Sequence, residues 1–138
     1  MPISTFLVED NPLIRHNLIA AMEDEADILL VGTAATEAEA IERLDACDPP
    51  WELLVVDLFL EEGSGLGIVK RYRERRAGQR VVVLTNYGTD DIAGWARELG
   101  ADAVFDKSAG LDDFFSFCAG LGAVSYTHLR AHETRGNL

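Results

Sequence analysis

Five short apolar runs, each closing on polar residues and each followed by a longer stretch of helical period, constrain this 138-residue chain more than any other feature. The runs lie at residues 3–8, 28–31, 53–56, 81–84 and 103–105, and they are largely continuous rather than alternating. Continuous apolar strands are buried on both faces, and strands that alternate with helices build βαβ units. The pattern therefore predicts an α/β fold: a doubly wound parallel sheet of five strands with five helices on its two faces. A chain of this length, 48% hydrophobic, supplies one core rather than two.

The helix signals are local and chemical. Asn11 can cap a helix whose first position is Pro12, with Ile14, Leu18, Ala21 and Met22 facing inward. Thr36 and Glu39 have capping-box spacing for a second helix that turns Ile41, Leu44 and Cys47 inward, and Pro49 and Pro50 stop it. The third helix carries Leu66, Val69 and Tyr72, with the basic run KRYRERR as a solvated face. Thr89 caps a fourth, with Asp90 and Asp91 in its first turn, Ile92, Trp95, Ala96 and Leu99 inward, and Gly100 at its end. Leu111, Phe114, Phe115, Cys118 and Leu121 mark the last helix. The domain is expected to span residues 1–124. The remainder, SYTHLRAHETRGNL, holds two of the three histidines and no apolar period. Its wording resembles the read-through of a cloning adapter, so residues 125–138 are read as a non-native, disordered tail, and the pair His128 and His132 as accidental.

Composition narrows the function. A formal charge of -12 argues against nucleic acid and anionic lipid as partners. Cys47 and Cys118 have no metal-ligand spacing and read as core thiols of a reducing, cytoplasmic setting. No stretch approaches the roughly 18 apolar residues of a membrane span, and the N-terminus is not a signal peptide.

In an open parallel sheet, ligands bind beyond the carboxyl ends of the strands where the order reverses; for the order 2-1-3-4-5 that is between strands 1 and 3. Glu9 and Asp10 stand at the end of strand 1, Asp57 at the end of strand 3, Thr85 at the end of strand 4, and Lys107 after strand 5. Carboxylates brought together must hold protons or share a cation, and an all-oxygen set suits Mg2+. A carboxylate beside a cation, a hydroxyl and an ammonium is equipped to accept a phosphoryl group, with Asp57 as nucleophile.

The segments VEDNPLIR, VVDLFLEEGSG, LTNYG and FDKS, in this order, together with Gly65 eight residues after Asp57, resemble a two-component receiver domain over residues 1–124. The resemblance implies a flavodoxin-like fold and a phosphoacceptor role in a His-Asp phosphorelay. Asp57 would be phosphorylated by a histidine kinase or a histidine phosphotransfer protein. Asp10, Asp57 and the backbone carbonyl of Phe59 would bind Mg2+, Glu9 would act through water on the ion, Thr85 would move to bond the phosphoryl group, and Lys107 would pair with it. It further implies no enzyme beyond self-phosphorylation from small donors and self-dephosphorylation. Output would be contact with an unidentified downstream partner, or a homodimer, through the face of helix 4, strand 5 and helix 5.

The chain departs from that pattern at three places. Leu60-Glu61 replaces the usual Met-Pro, Ser108 replaces the frequent proline after Lys107, and Val104 stands where a switch aromatic is common, with Phe105 on the opposite face. The resemblance implies that the residues two past Asp57 and two past Thr85, here Phe59 and Tyr87, flank the approach of water to the phosphorylated residue, and these bulky rings predict slow self-dephosphorylation. Other chemistries fit less well. A haloacid-dehalogenase-type phosphatase needs a second Asp where Phe59 stands, a P-loop nucleotidase needs an absent GxxxxGK, and a flavin phosphate would meet Glu-Asp-Asn-Pro after strand 1. Three readings of the chain stay open: a stand-alone receiver, an interaction module that has lost phosphorylation, and the receiver part of a longer regulator.

Overall fold

The computed structural model describes residues 2–25, 27–47, 50–86, 89–107 and 111–130. In chain order these form β1 (Ile3–Val8), α1 (Pro12–Glu25), β2 (Ile28–Ala34), α2 (Glu37–Asp45), β3 (Leu53–Asp57), α3 (Gly65–Arg71), β4 (Arg80–Thr85), α4 (Asp90–Leu99), β5 (Ala103–Asp106) and α5 (Asp112–Arg130). All strand pairs are parallel and the sheet order is β2-β1-β3-β4-β5, as the alternation predicts.

Successive side chains of a strand point to opposite faces, so each apolar run feeds two cores. Leu54 and Val56 of β3 and Val81 and Val83 of β4 meet Ala40 and Leu44 of α2, Ile68 and Val69 of α3, and Ala96 of α4. Leu53, Val55, Val82 and Leu84 meet Leu18 and Met22 of α1 and Phe114 and Cys118 of α5. The caps follow the sequence reading. Asn11 Oδ1 accepts from the amides of Leu13 and Ile14 at 2.9 and 3.0 Å, Thr36 Oγ1 from Glu39 at 3.1 Å, and Thr89 Oγ1 from Ile92 at 3.3 Å.

Several elements differ from the sequence expectation. β2 continues to Ala34, because the register shifts between Thr5 and Phe6 and Gly32 lies under the Phe6 ring, where a Cβ would come within 2.7 Å of Cε2. On α2 the fully buried position is Ala40, and Ile41 is only half-buried. α3 stops at Arg71, so KRYRERR is not one helical face. Its Tyr72 donates to Asp45 Oδ1 at 2.7 Å and packs edge-on against Trp51, while Arg75 donates to the Tyr72 carbonyl and to Asp102, each at 2.8 Å. Arg71 pairs with Asp45, so part of the basic run finds its acids within the molecule. The Tyr72 hydrogen bond, then Arg71, holds the Asp45 carboxyl below its usual range, and burial followed by Asp45 pushes the Tyr72 phenol up to about 12. Trp95, expected inward, is 62% exposed, because small Ala96 occupies the contact with the sheet. α5 runs to Arg130, past the point where the apolar period ends, and residues 131–138 lie outside the described residues.

One aromatic side chain from each of α4 and α5 gives a direct test of this packing. Phe114→Ala removes a fully buried ring and should cost about 3–5 kcal/mol. Trp95→Ala should stay within about 0.5 kcal/mol. Urea unfolding of both variants checks the contrast, and equal losses would contradict the placement of Trp95.

Candidate functional site

The sheet order reverses between β1 and β3, and the carboxyl ends of β1, β3, β4 and β5 carry the polar residues. Glu9 and Asp10 follow β1, Asp57 closes β3, Thr85 closes β4, and Lys107 follows β5. Asp57 pairs in register with Leu84, which places Thr85 one residue beyond that pairing, on the neighbouring strand. Glu9, Asp57 and Thr85 are buried and Asp10 is half-buried.

One oxygen from each of Glu9, Asp10 and Asp57 lies within 4.8 Å of the others. Lys107 Nζ donates to Glu9 Oε1 at 2.9 Å and to Asp57 Oδ2 at 3.4 Å. Three carboxylates face one ammonium, so the cluster carries unbalanced negative charge in a buried setting. Burial chiefly, and the Asp57 charge in addition, raise the Glu9 carboxyl above its ordinary value, against the lowering effect of its bond to Lys107. An all-oxygen donor set with excess negative charge fits a hard divalent cation of the Mg2+ kind.

The backbone completes the cluster. The Asn11 amide donates to Glu9 Oε2 at 3.2 Å, the Phe59 amide to Asp57 Oδ1 at 3.2 Å, and the Glu61 amide to Asp10 Oδ2 at 2.7 Å. Arg15 Nη1 donates to the Glu9 carbonyl at 2.8 Å. These donors escaped the sequence reading, because a backbone amide carries no residue signature; only Arg15, one turn into α1, is visible as a cation in the sequence. Gly65 is required by close approach: a Cβ there would run into the Asp57 carbonyl and the Leu58 backbone, and its amide donates to the Leu58 carbonyl at 3.0 Å. Val104 joins the core facing α2, α3 and α4, while Phe105 packs against Phe114 and Phe117 of α5. Tyr87 and Ser108 lie outside the described residues.

A family model for the response regulator receiver domain matches residues 5–117. The chain belongs to that family. The receiver is a signalling domain of two-component response regulators. The photosynthetic apparatus regulatory protein RegA of Cereibacter sphaeroides is 39% identical over 106 residues, which are 77% of this chain and 55% of RegA. The chain spans about half the length of the curated relatives it matches. The signal receiver domain of a DNA-binding response regulator from Colwellia psychrerythraea 34H superposes with a TM-score of 0.76 at 21% identity, covering 88% of this chain and 98% of that one. A response regulator from Burkholderia pseudomallei, solved with a phosphorylated aspartic acid, a calcium ion and citrate, gives a TM-score of 0.71 at 23% identity over 96% of this chain and 75% of that one. Both structures share the receiver's fold. No helix among the described residues is long and apolar enough to cross a membrane.

The raised Glu9 carboxyl sets a pH dependence for the metal-free receiver. The folded state holds this proton more tightly than the unfolded chain, so the Glu9 contribution to stability is most favourable below the ordinary value of 4.5 and falls as pH rises through the window above it. Glu9→Gln should therefore melt higher than the parent in metal-free buffer, by a margin that grows from pH 4.5 to pH 7. Thermal melts across that range check the slope; a constant difference would show that Glu9 titrates alike in both states.

Proposed function

We propose that this receiver is the phosphoacceptor of a His-Asp phosphorelay, with Asp57 as the acceptor. The observation that carries the reading is the buried Asp57 carboxylate, 3.4 Å from the Lys107 ammonium, within a cluster of three acids. An Asp57 oxygen attacks phosphorus, the bond from phosphorus to the donor histidine breaks, and the imidazole nitrogen leaves with the bonding pair. Lys107 balances the charge that stays on the phosphoryl oxygens, and Thr85 donates its hydroxyl to one of them. The carboxylates of Glu9, Asp10 and Asp57, with the Phe59 carbonyl, would hold Mg2+. When bound, that ion shields the entering phosphoryl group from the acids and stabilises its charge in transfer.

The donor is a histidine kinase or a histidine phosphotransfer protein, and the domain catalyses nothing beyond its own phosphorylation from small donors and its own dephosphorylation. The Phe59 side chain is 52% exposed beside the acceptor, which favours a long-lived phosphoryl group because the ring offers no amide or carboxylate to orient water. Output passes through the face of α4, β5 and α5, to a partner protein or a second copy, in the cytoplasm. The greater length of the relatives favours a second reading, in which this receiver acts on an effector region of a longer regulator.

Incubation with a small phosphodonor and Mg2+ should add the mass of one phosphoryl group, and Asp57→Asn should abolish the addition. An undiminished shift in that variant would overturn the assignment, and no shift in the parent would favour the interaction module without phosphorylation. Asp10→Asn should weaken Mg2+ binding, since one of the cluster's anionic ligands is lost.

Residues 1–124 are read as the functional domain and residues 125–138 as an extraneous tail, a division supported by a family match that ends at residue 117. Truncation after Val124 should leave both the melting temperature and phosphorylation nearly unchanged. A fall of many degrees in calorimetry would show that the tail packs on the domain.

A further inference from the structure

The loop between β3 and α3 bears on the acidic cluster at two points. The Phe59 amide bonds Asp57, and the Glu61 amide bonds Asp10 Oδ2 at 2.7 Å. A proline at position 61 would stiffen the loop by fixing φ but would have no amide to donate. With Glu61 there, the loop gains a donor to Asp10 and loses that stiffness. Something else must hold it.

Glu37, the first residue of α2, is built into the far end of this loop. Its Oε1 accepts from the Ser64 amide at 2.8 Å, and its own amide donates to the Glu62 carbonyl at 3.2 Å. Ser64 in turn caps α3, accepting from the Leu66 amide at 3.1 Å. The Glu37 carboxylate thus joins the first turn of α2, whose dipole favours a negative charge, to the capping residue of α3. Two glycines clear space for it. Gly63 adopts φ +88° and a Cβ there would strike the Glu37 side chain; a Cβ on Gly67 would strike the Glu37 carboxylate. One hydrogen bond and two missing Cβ atoms converge on one side chain that belongs to a different helix, and the backbone amide of the same residue makes a second bond to the loop. Ser64 and Glu61 are three residues apart, so pinning the first limits where the amide of the second can lie.

We infer that Glu37 is a positioning residue for the cation cluster, acting through the 58–64 loop to hold the Glu61 amide on Asp10. It touches neither the acceptor nor the three acids. The inference rests on the reading that Glu9, Asp10 and Asp57 hold a divalent cation.

Isothermal titration with Mg2+ and amide hydrogen exchange test it on the folded full chain, at a temperature where circular dichroism shows each variant fully native. Glu37→Ala should raise the Mg2+ Kd about tenfold, the scale of lost outer-shell support, and selectively speed exchange at Glu61 and Ser64 while the amides of β3 stay protected. Glu37→Gln keeps an acceptor oxygen for Ser64 and should stay within about threefold of the parent. Gly67→Ala, which crowds the carboxylate from the other side, should weaken Mg2+ as Glu37→Ala does. A purely structural role would lower the melting temperature and leave the Kd of the folded protein alone. An unchanged Kd in Glu37→Ala, unchanged exchange at Glu61, or equal loss in Glu37→Gln and Glu37→Ala overturns the inference, as does a parent that binds no Mg2+. A parent that binds Mg2+ in this Glu37-dependent way but takes no phosphoryl group refutes the phosphoacceptor reading and leaves the inference standing. Phosphorylation at Asp57 with a Glu37-independent Kd does the reverse.

Discussion

The Lys107 ammonium makes the rest of the site affordable. It leaves the end of β5, an edge strand, and reaches Glu9 after β1 and Asp57 after β3, both at the centre of the sheet. Without it, buried acids from two strands would meet with no ammonium or guanidinium bonded to their carboxylates among the described residues, and an unpaired buried charge costs several kcal/mol. Lys107 directly follows the four residues of β5, and its side chain spans the width of β4 to meet Asp57. A cation placed on a loop nearer the acids could move away with that loop. One that directly follows a strand starts from a point that the hydrogen bonds of the sheet fix.

That arrangement was readable from the sequence to an unusual degree, for a physical reason. Parallel strands bring their carboxyl ends to one side, so residues 9, 10, 57, 85 and 107 share one edge of the sheet. The strand runs are apolar on both faces, and the caps at Asn11, Thr36 and Thr89 are chemical signals that depend on three or four adjacent residues. Those features survive without knowledge of tertiary contacts.

What stayed hidden depended on distant partners. Trp95 has helical spacing with Ile92 and Leu99, yet the narrow contact between α4 and the sheet is filled by Ala96, and periodicity does not record how close two elements approach. The end of α3 is decided by Tyr72, whose phenol is captured by Asp45 from α2, a residue 27 positions earlier. The extension of β2 depends on a glycine fitting beneath a ring of β1. Glu37 reads simply as an acid in the first turn of a helix, and only the two glycines of another segment reveal that space was made for it.

The outer edge of the sheet has a consequence for the protein in concentrated solution. Among the described strands β2 pairs with β1 only, and its Leu29 and Val31 are 51% and 40% exposed, so this edge offers an outer strand and apolar side chains to another sheet. It carries no lysine or proline to discourage such pairing. Mutual repulsion between molecules of charge -12 takes over that task. Such repulsion acts over about 10 Å at 0.1 M salt and about 3 Å at 1 M. Ionic strength therefore acts as the gatekeeper of colloidal stability, and a salt concentration that leaves the fold intact removes the barrier that keeps its open edges apart.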